Sequence, residues 1–138
     1  MYVLDTYAVL AWLANEEGAD TVDAVLDEAR QGRAEVLMTW VNVCEVYYIT
    51  LRKSVDSVPP ETAALRTVGI LKELPITLVP ADEELSLEAG HVKSRFPISL
   101  ADSYAAGLAR QRNATLITGD QEFQSLENAG WIKIRWIT

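Results

Sequence analysis

The chain has 138 residues, 49% apolar and 23% charged, with 20 Asp and Glu against 12 Lys and Arg for a net charge of −8. That is globular composition, with room for one domain spanning residues 1–138 and a core of its own; disorder and low complexity are excluded. One Cys and one His exclude an internal disulfide and a four-ligand structural zinc site, and no apolar run reaches the roughly 18 residues of a membrane-spanning helix.

The N-terminus lacks a secretory signal pattern, so a soluble, cytoplasmic protein with no membrane partner is expected. The acidic balance argues against broad, nonspecific nucleic-acid binding, which rests on a basic surface. It leaves room for a nucleic-acid enzyme, because a divalent cation reverses the local sign of a carboxylate cluster. The question is whether some of the acids converge.

In chain order, Met1–Leu4 reads as a short strand ending at Asp5. Tyr7–Ala14 reads as a helix, apolar nearly all round and therefore well buried. Asn15–Gly18 breaks it. Ala19–Gln31 is a second helix with Val22, Val25, Leu26 and Ala29 on one face, and Gly32 suits its C-terminal cap. Glu35–Thr39 is a second strand and Val41–Lys53 a helix. After the loop Ser57–Pro60, a helix enters at Pro60 and runs to about Leu74, with Leu65, Val68, Ile70 and Leu71 inward.

Ile76–Val79 is a third strand between two prolines. Asp82–Ser94 is a helix carrying Leu85, Leu87, Ala89 and Val92, stopped before Pro97. Ser99–Gln111 is an Ala-rich helix whose internal Gly107 predicts close packing on a neighbour. Ala114–Thr118, a short helix over Asp120–Asn128 and a last strand over Trp131–Ile137 complete the chain. Strands separated by helices imply parallel pairing through right-handed crossovers, hence an α/β fold with a sheet covered on both faces.

In such a fold ligands bind beyond the C-terminal ends of the strands. Asp5 and Asp120 follow the first and fourth strands. Glu45 and Asp102 lie near the starts of helices, in mostly apolar surroundings. Each has an ordinary structural reading: Asp5 and Asp120 as helix caps, Asp102 in a capping box with Ser99, Glu45 on an exposed helix side. Together they are harder to dismiss, since acids in apolar contexts must be solvated, paired or metal-bound, and few basic residues lie nearby in sequence. Carboxylates without His or Cys suit a hard cation, Mg²⁺ or Mn²⁺. Left without metal, the cluster should have at least one acid with a pKa raised by its like-charged neighbours. The only His, His91, lies in a polar helix, so no Ser/His/Asp arrangement is available; no phosphate-cradling loop supports ATP chemistry.

Four motifs now stand in order: Tyr2-Val3-Leu4-Asp5-Thr6, Val41-Asn42-Val43-Cys44-Glu45-Val46, Ile98 through Ala106 around Asp102, and Ala114 through Phe123 around Asp120. With these, the chain resembles the PIN-domain ribonucleases over essentially its whole length, and among them the VapC-like toxins of toxin–antitoxin pairs. The resemblance implies a three-layer α/β/α sandwich with a mostly parallel central sheet. It implies Mg²⁺- or Mn²⁺-dependent cleavage of single-stranded or loop RNA, with Asp5, Glu45, Asp102 and Asp120 as the four acids. Asp5, Asp102 and Asp120 would hold one or two metal ions, and Glu45 would bind metal or position the attacking water. Thr6, Asn42 and Thr118 would support them by orienting an acid or water. A cognate antitoxin protein and a homodimer are implied as partners. The family often has a basic residue where Gly119 stands, which weakens a local phosphate contact here.

Other residues read more plainly. Arg52-Lys53, Lys93 with Arg95, and Arg110 with Arg112 are either basic shoulders of the cleft or solvated helix ends. Tyr7, Trp12, Trp40, Tyr47 and Tyr48 are assigned mostly to core packing, with base stacking or partner contact as the alternative. Cys44 reads as a small buried apolar residue, His91 as surface, and Trp131 and Trp136 as packing for the last strand. The competing function is a non-catalytic PIN-like module that holds metal or a basic peptide. A phosphoacceptor receiver domain would need an acid beside Asp5, and a haloacid-dehalogenase-like phosphatase would need Asp at position 7, where Tyr stands.

Overall fold

The computed structural model describes residues 1–53 and 57–138. Five strands, β1 (Tyr2–Leu4), β2 (Val36–Thr39), β3 (Thr77–Val79), β4 (Thr115–Thr118) and β5 (Lys133–Trp136), form one sheet in the order β3-β2-β1-β4-β5. Every pairing is parallel. Between the strands run α1 (Thr6–Leu13), α2 (Ala19–Arg30), α3 (Trp40–Arg52), α4 (Pro60–Glu73), α5 (Glu83–Arg95), α6 (Leu100–Arg112), a 3-10 turn (Gln121–Phe123) and α7 (Gln124–Asn128). None of the described helices is long and apolar enough to cross a membrane.

The three layers follow from strand alternation. Val3 pairs in register with Leu37 and Leu116, and all three face a core completed by Leu85, Val92, Ala105, Leu108, Phe123 and Leu126. Leu4, Met38 and Ile117 face the other side, against Ala8, Val9, Val22, Leu26, Val43, Val46 and Leu71. Helices α1–α4 therefore cover one face and α5–α7 the other, as an α/β/α sandwich requires. Both faces of β2 are buried, which is why it reads as an unbroken apolar run.

The element bounds agree with the sequence expectation to within two residues at every end except the short helix after β4. There, Asp120–Asn128 divides into a 3-10 turn and a short α-helix. Gly107 lies on the α6 face packed against α5: a Cβ there would meet the Ala89 backbone nitrogen at 2.9 Å.

Some side-chain assignments need correction. Leu65 and Ile70 of α4 and Leu87 of α5 are exposed, at 61%, 44% and 63%. The inward stripe of α4 is Ala64 and Leu71 with Val68 half-buried. The arc that α4 buries is narrower than the sequence reading assumed. Cys44 is exposed rather than buried, because α3 turns Asn42, Val43 and Val46 inward. Tyr7, Trp40 and Tyr48 are also exposed, so core packing accounts for only part of the aromatic set. For the same reason α1 is less buried than its composition implied. Trp131 precedes β5; it packs edge-on to Phe96 beneath the Arg110 guanidinium. His91 is exposed, as expected.

Candidate active site

Strand order reverses direction at β1 and β4, since the chain builds outward from β1 to β3 and then crosses to β4 and β5. A crevice opens beyond the C-terminal ends of such a strand pair. A cleft of about 300 Å³ lies there, lined by Asp5, Thr6, Tyr7, Leu10, Glu45, Ile49, Ser99, Asp102, Asp120 and Glu122. Asp5, Glu45, Asp102 and Asp120 thus share one wall-to-floor surface despite lying up to 115 positions apart.

The ordinary readings of the acids are also true. Asp5 caps α1, accepting the Ala8 backbone N–H at 2.8 Å. Asp120 accepts the Glu122 N–H at 3.0 Å. Ser99 caps α6 by accepting the Asp102 N–H at 3.1 Å. Capping fixes where each carboxylate starts; the topology decides that they meet.

Three carboxylates come closest. One oxygen from each of Asp102, Asp120 and Glu122 lies within 4.8 Å of the other two. Asp5 sits deeper, 1% exposed, with its second oxygen accepting the Thr118 hydroxyl at 2.5 Å. The same Thr118 oxygen accepts the Asp120 backbone N–H at 3.0 Å, so one buried hydroxyl ties the two strand-end acids together. Glu45 stands on the α3 side, where its Oε2 accepts the Tyr48 hydroxyl at 3.2 Å.

Behind the cleft, Asn42 is fully buried at the junction of three elements. Its amide donates to the Thr6 hydroxyl at 3.1 Å and to the Ala101 carbonyl at 3.4 Å. Its Oδ1 accepts from Thr39, whose hydroxyl in turn accepts the Asn42 N–H at 3.0 Å. The starts of α1, α3 and α6, which carry Asp5, Glu45 and Asp102, are held by this one side chain.

Burial pushes the Asp5 carboxyl up to about 7, with the charges of Asp102 and Asp120 adding to it against the Thr118 and Ala8 hydrogen bonds. Asp102 is also raised to about 7, by burial first, then by the charges of Asp120, Glu45 and Glu122, against the Ser99 hydrogen bond. The sequence reading expected a raised acid from like-charged neighbours; those charges contribute, but burial is the larger cause. Among the described residues no salt bridge reaches any of these acids. Nor is any lining residue basic. Arg110 is paired with Glu88 and stacked on Trp131, and Lys93 donates to the Ile98 carbonyl at 2.7 Å.

Sequence reasoning missed Glu122, Thr39 and the place of Tyr7 in the cleft. Glu122 had a legible signal, an acid two positions after Asp120 at a strand end. Thr39 had another, a hydroxyl three residues before Asn42, the spacing of an N-cap. For Tyr7 the sequence offers exposure only as the alternative to core packing, because its exposure depends on what stands opposite.

The donor set fits a hard divalent cation. It offers carboxylate oxygens only, three of them in mutual reach, and two acids whose ionisation the fold opposes.

No curated protein sequence matches the chain. Solved structures do. A VapBC2 structure from Rickettsia felis, bound to a promoter DNA fragment, aligns with a TM-score of 0.72 at 14% identity, covering 99% of this chain and 98% of that one. Mycobacterium tuberculosis VapC20, described as a sarcin-ricin loop cleaving toxin, aligns with a TM-score of 0.68 at 14% identity over 98% and 99% of the two chains. VapBC-5 from the same species aligns with a TM-score of 0.64 at 20% identity over 98% and 97%. These likenesses concern the fold. The model of the PIN domain family matches residues 2–129, nearly the whole sequence, and the chain belongs to that family.

Proposed function

We propose that the protein is a metal-dependent endoribonuclease that hydrolyses RNA phosphodiester bonds, and that it is the toxin of a VapBC-type pair. It works in the cytoplasm as a homodimer, restrained by a cognate antitoxin. The observation that carries the reading is the cleft itself: converging carboxylates, no basic counterpart, and two acids raised to about 7. The likeness to a toxin described as cutting the sarcin-ricin loop, and to toxin–antitoxin complexes, supports the RNA and the antitoxin.

Asp102, Asp120 and Glu122 would hold Mg²⁺ or Mn²⁺, with Asp5 beneath them and Glu45 at the side. A cation bound there supplies positive charge against the phosphate and a water of lowered pKa. Hydrolysis adds a water oxygen to phosphorus and breaks a P–O bond to a sugar. Glu45, steadied by Tyr48, positions the attacking water. Thr118 keeps Asp5 and the start of the Asp120 turn in fixed relation, and Asn42 does the same for α1, α3 and α6.

The test is RNA cleavage in Mn²⁺ by the full chain, with Mn²⁺ affinity measured alongside. Asp102→Asn and Asp5→Asn should each reduce cleavage by at least the roughly 10–100-fold that even outer groups of a metal site cost. Cleavage surviving both changes would belong to a contaminant. Tight Mn²⁺ binding with no cleavage of any RNA would favour the non-catalytic binding module.

A further inference from the structure

Tyr7 is the second residue of α1 and is 41% exposed, yet it lines the acidic cleft beside Leu10 and Ile49. Its ring is seated against Gly119. A Cβ at position 119 would come within 2.3 Å of Tyr7 Cε1 and 2.8 Å of Cζ. Gly119 does not have a positive φ; the space a side chain there would take is occupied by the Tyr7 ring and by the Thr138 methyl, at 2.8 Å. Gly119 immediately precedes Asp120, which places the aromatic ring next to the carboxylates. The ring thus lies along the wall of the cleft, over the glycine that precedes Asp120.

The remaining lining decides what this wall can hold. The floor is anionic and no lining residue is basic, so the chain's own side chains repel a phosphate everywhere except at a bound cation. Affinity for the rest of a nucleotide must come from apolar and aromatic contact, and Tyr7, Leu10 and Ile49 are what the cleft offers. A base can lie on an aromatic ring only when it is unpaired and splayed from its neighbours.

We infer that Tyr7, seated in the notch left by Gly119, is a base-stacking platform that selects an unpaired nucleotide beside the scissile phosphate. This rests on the nuclease reading above. Tyr7 is a binding residue here, and it takes part in no bond-making step.

A double-mutant cycle between ring and base tests it. The enzyme is wild type or Tyr7→Ala; the RNA is intact or carries a single abasic nucleotide next to the cut. Tyr7→Ala should raise KM about tenfold on intact RNA, within the range of one base–aromatic stack, with the loss falling on KM rather than kcat. The abasic RNA should show a similar rise with wild-type enzyme, and little further rise when both changes are combined. Tyr7→Trp should keep the wild-type KM, and Tyr7→Leu, which preserves bulk, should behave like alanine. Independent, multiplying losses would overturn the proposal while leaving the nuclease reading intact. Equal KM for Tyr7→Leu and wild type would overturn it too, reducing the residue to an apolar wall, as would an effect confined to antitoxin affinity. A wild-type protein that cuts no RNA in Mn²⁺ would remove both readings.

Discussion

Thr118 shows how much one buried hydroxyl can hold. It donates to Asp5 and accepts the Asp120 N–H, joining the ends of β1 and β4. Thr118→Val keeps the shape and removes both bonds. It should destabilise the protein by about 2 kcal/mol, the usual cost of leaving buried polar groups unpaired, read as a lower midpoint in urea with an unchanged slope. RNA cleavage should fall with it, because Asp5 loses the neighbour that fixes its second oxygen. Asn42 is a parallel case on the α3 side, where four hydrogen bonds converge on a residue with no solvent contact. Both residues were readable as companions of the acids. Their near partners, Asp120 and Thr39, lie within three positions; the distant ones that tie elements together, 36 to 113 positions away, were not readable.

Among the elements, α5 and α6 pack with their backbones in close approach. Gly107 lets the Ala89 backbone approach to a distance that no Cβ tolerates. Gly107→Ala gains helix propensity of about 1 kcal/mol. It also forces two helices apart in a packed core, which typically costs 1–3 kcal/mol or more. Loss should win because the clash is with backbone, which cannot rotate away; thermal unfolding should show a lower midpoint. The displaced α6 carries Asp102, so Mn²⁺ affinity should weaken in the same variant. Helix α4 gives the opposite lesson. Its period and its Pro60 entry were legible, but which arc it buries depends on the elements packed against it, α3 first among them, and Leu65 and Ile70 were misassigned for that reason.

At the scale of the whole molecule, pH, metal and stability are linked through Asp5 and Asp102. Both have folded-state values of about 7 against an ordinary 3.8. Between those values the folded protein keeps protons that the unfolded chain has released, so the slope of stability with pH is negative there. Without metal, the protein should be most stable toward pH 5 and lose stability as pH rises to about 8. The change should reach several degrees in melting temperature for a domain of this size. The Mn²⁺ proposed for the cleft would bind the ionised carboxylates, so its stabilisation should be larger at pH 8 than at pH 5. Asp5→Asn should flatten the metal-free profile. A metal-free melting temperature that rises from pH 5 to pH 8 would contradict the raised acids.

The sequence by itself determined the order and type of the elements, the parallel sheet and the positions of the four candidate acids at strand ends and in helices, because hydrophobic period, caps and strand-end positions are local properties. Asp5 and Asp120 are caps whether or not anything else is near them. Only the tertiary structure decided that a reversal of strand order between β1 and β4 gathers those acids with Glu45, Asp102 and Glu122 into one cleft. It also decided that Cys44 faces out and that the Tyr7 ring lies over Gly119, beside Asp120. Burial and convergence are set by whatever lies opposite, and for each of these residues that neighbour comes from a distant part of the chain.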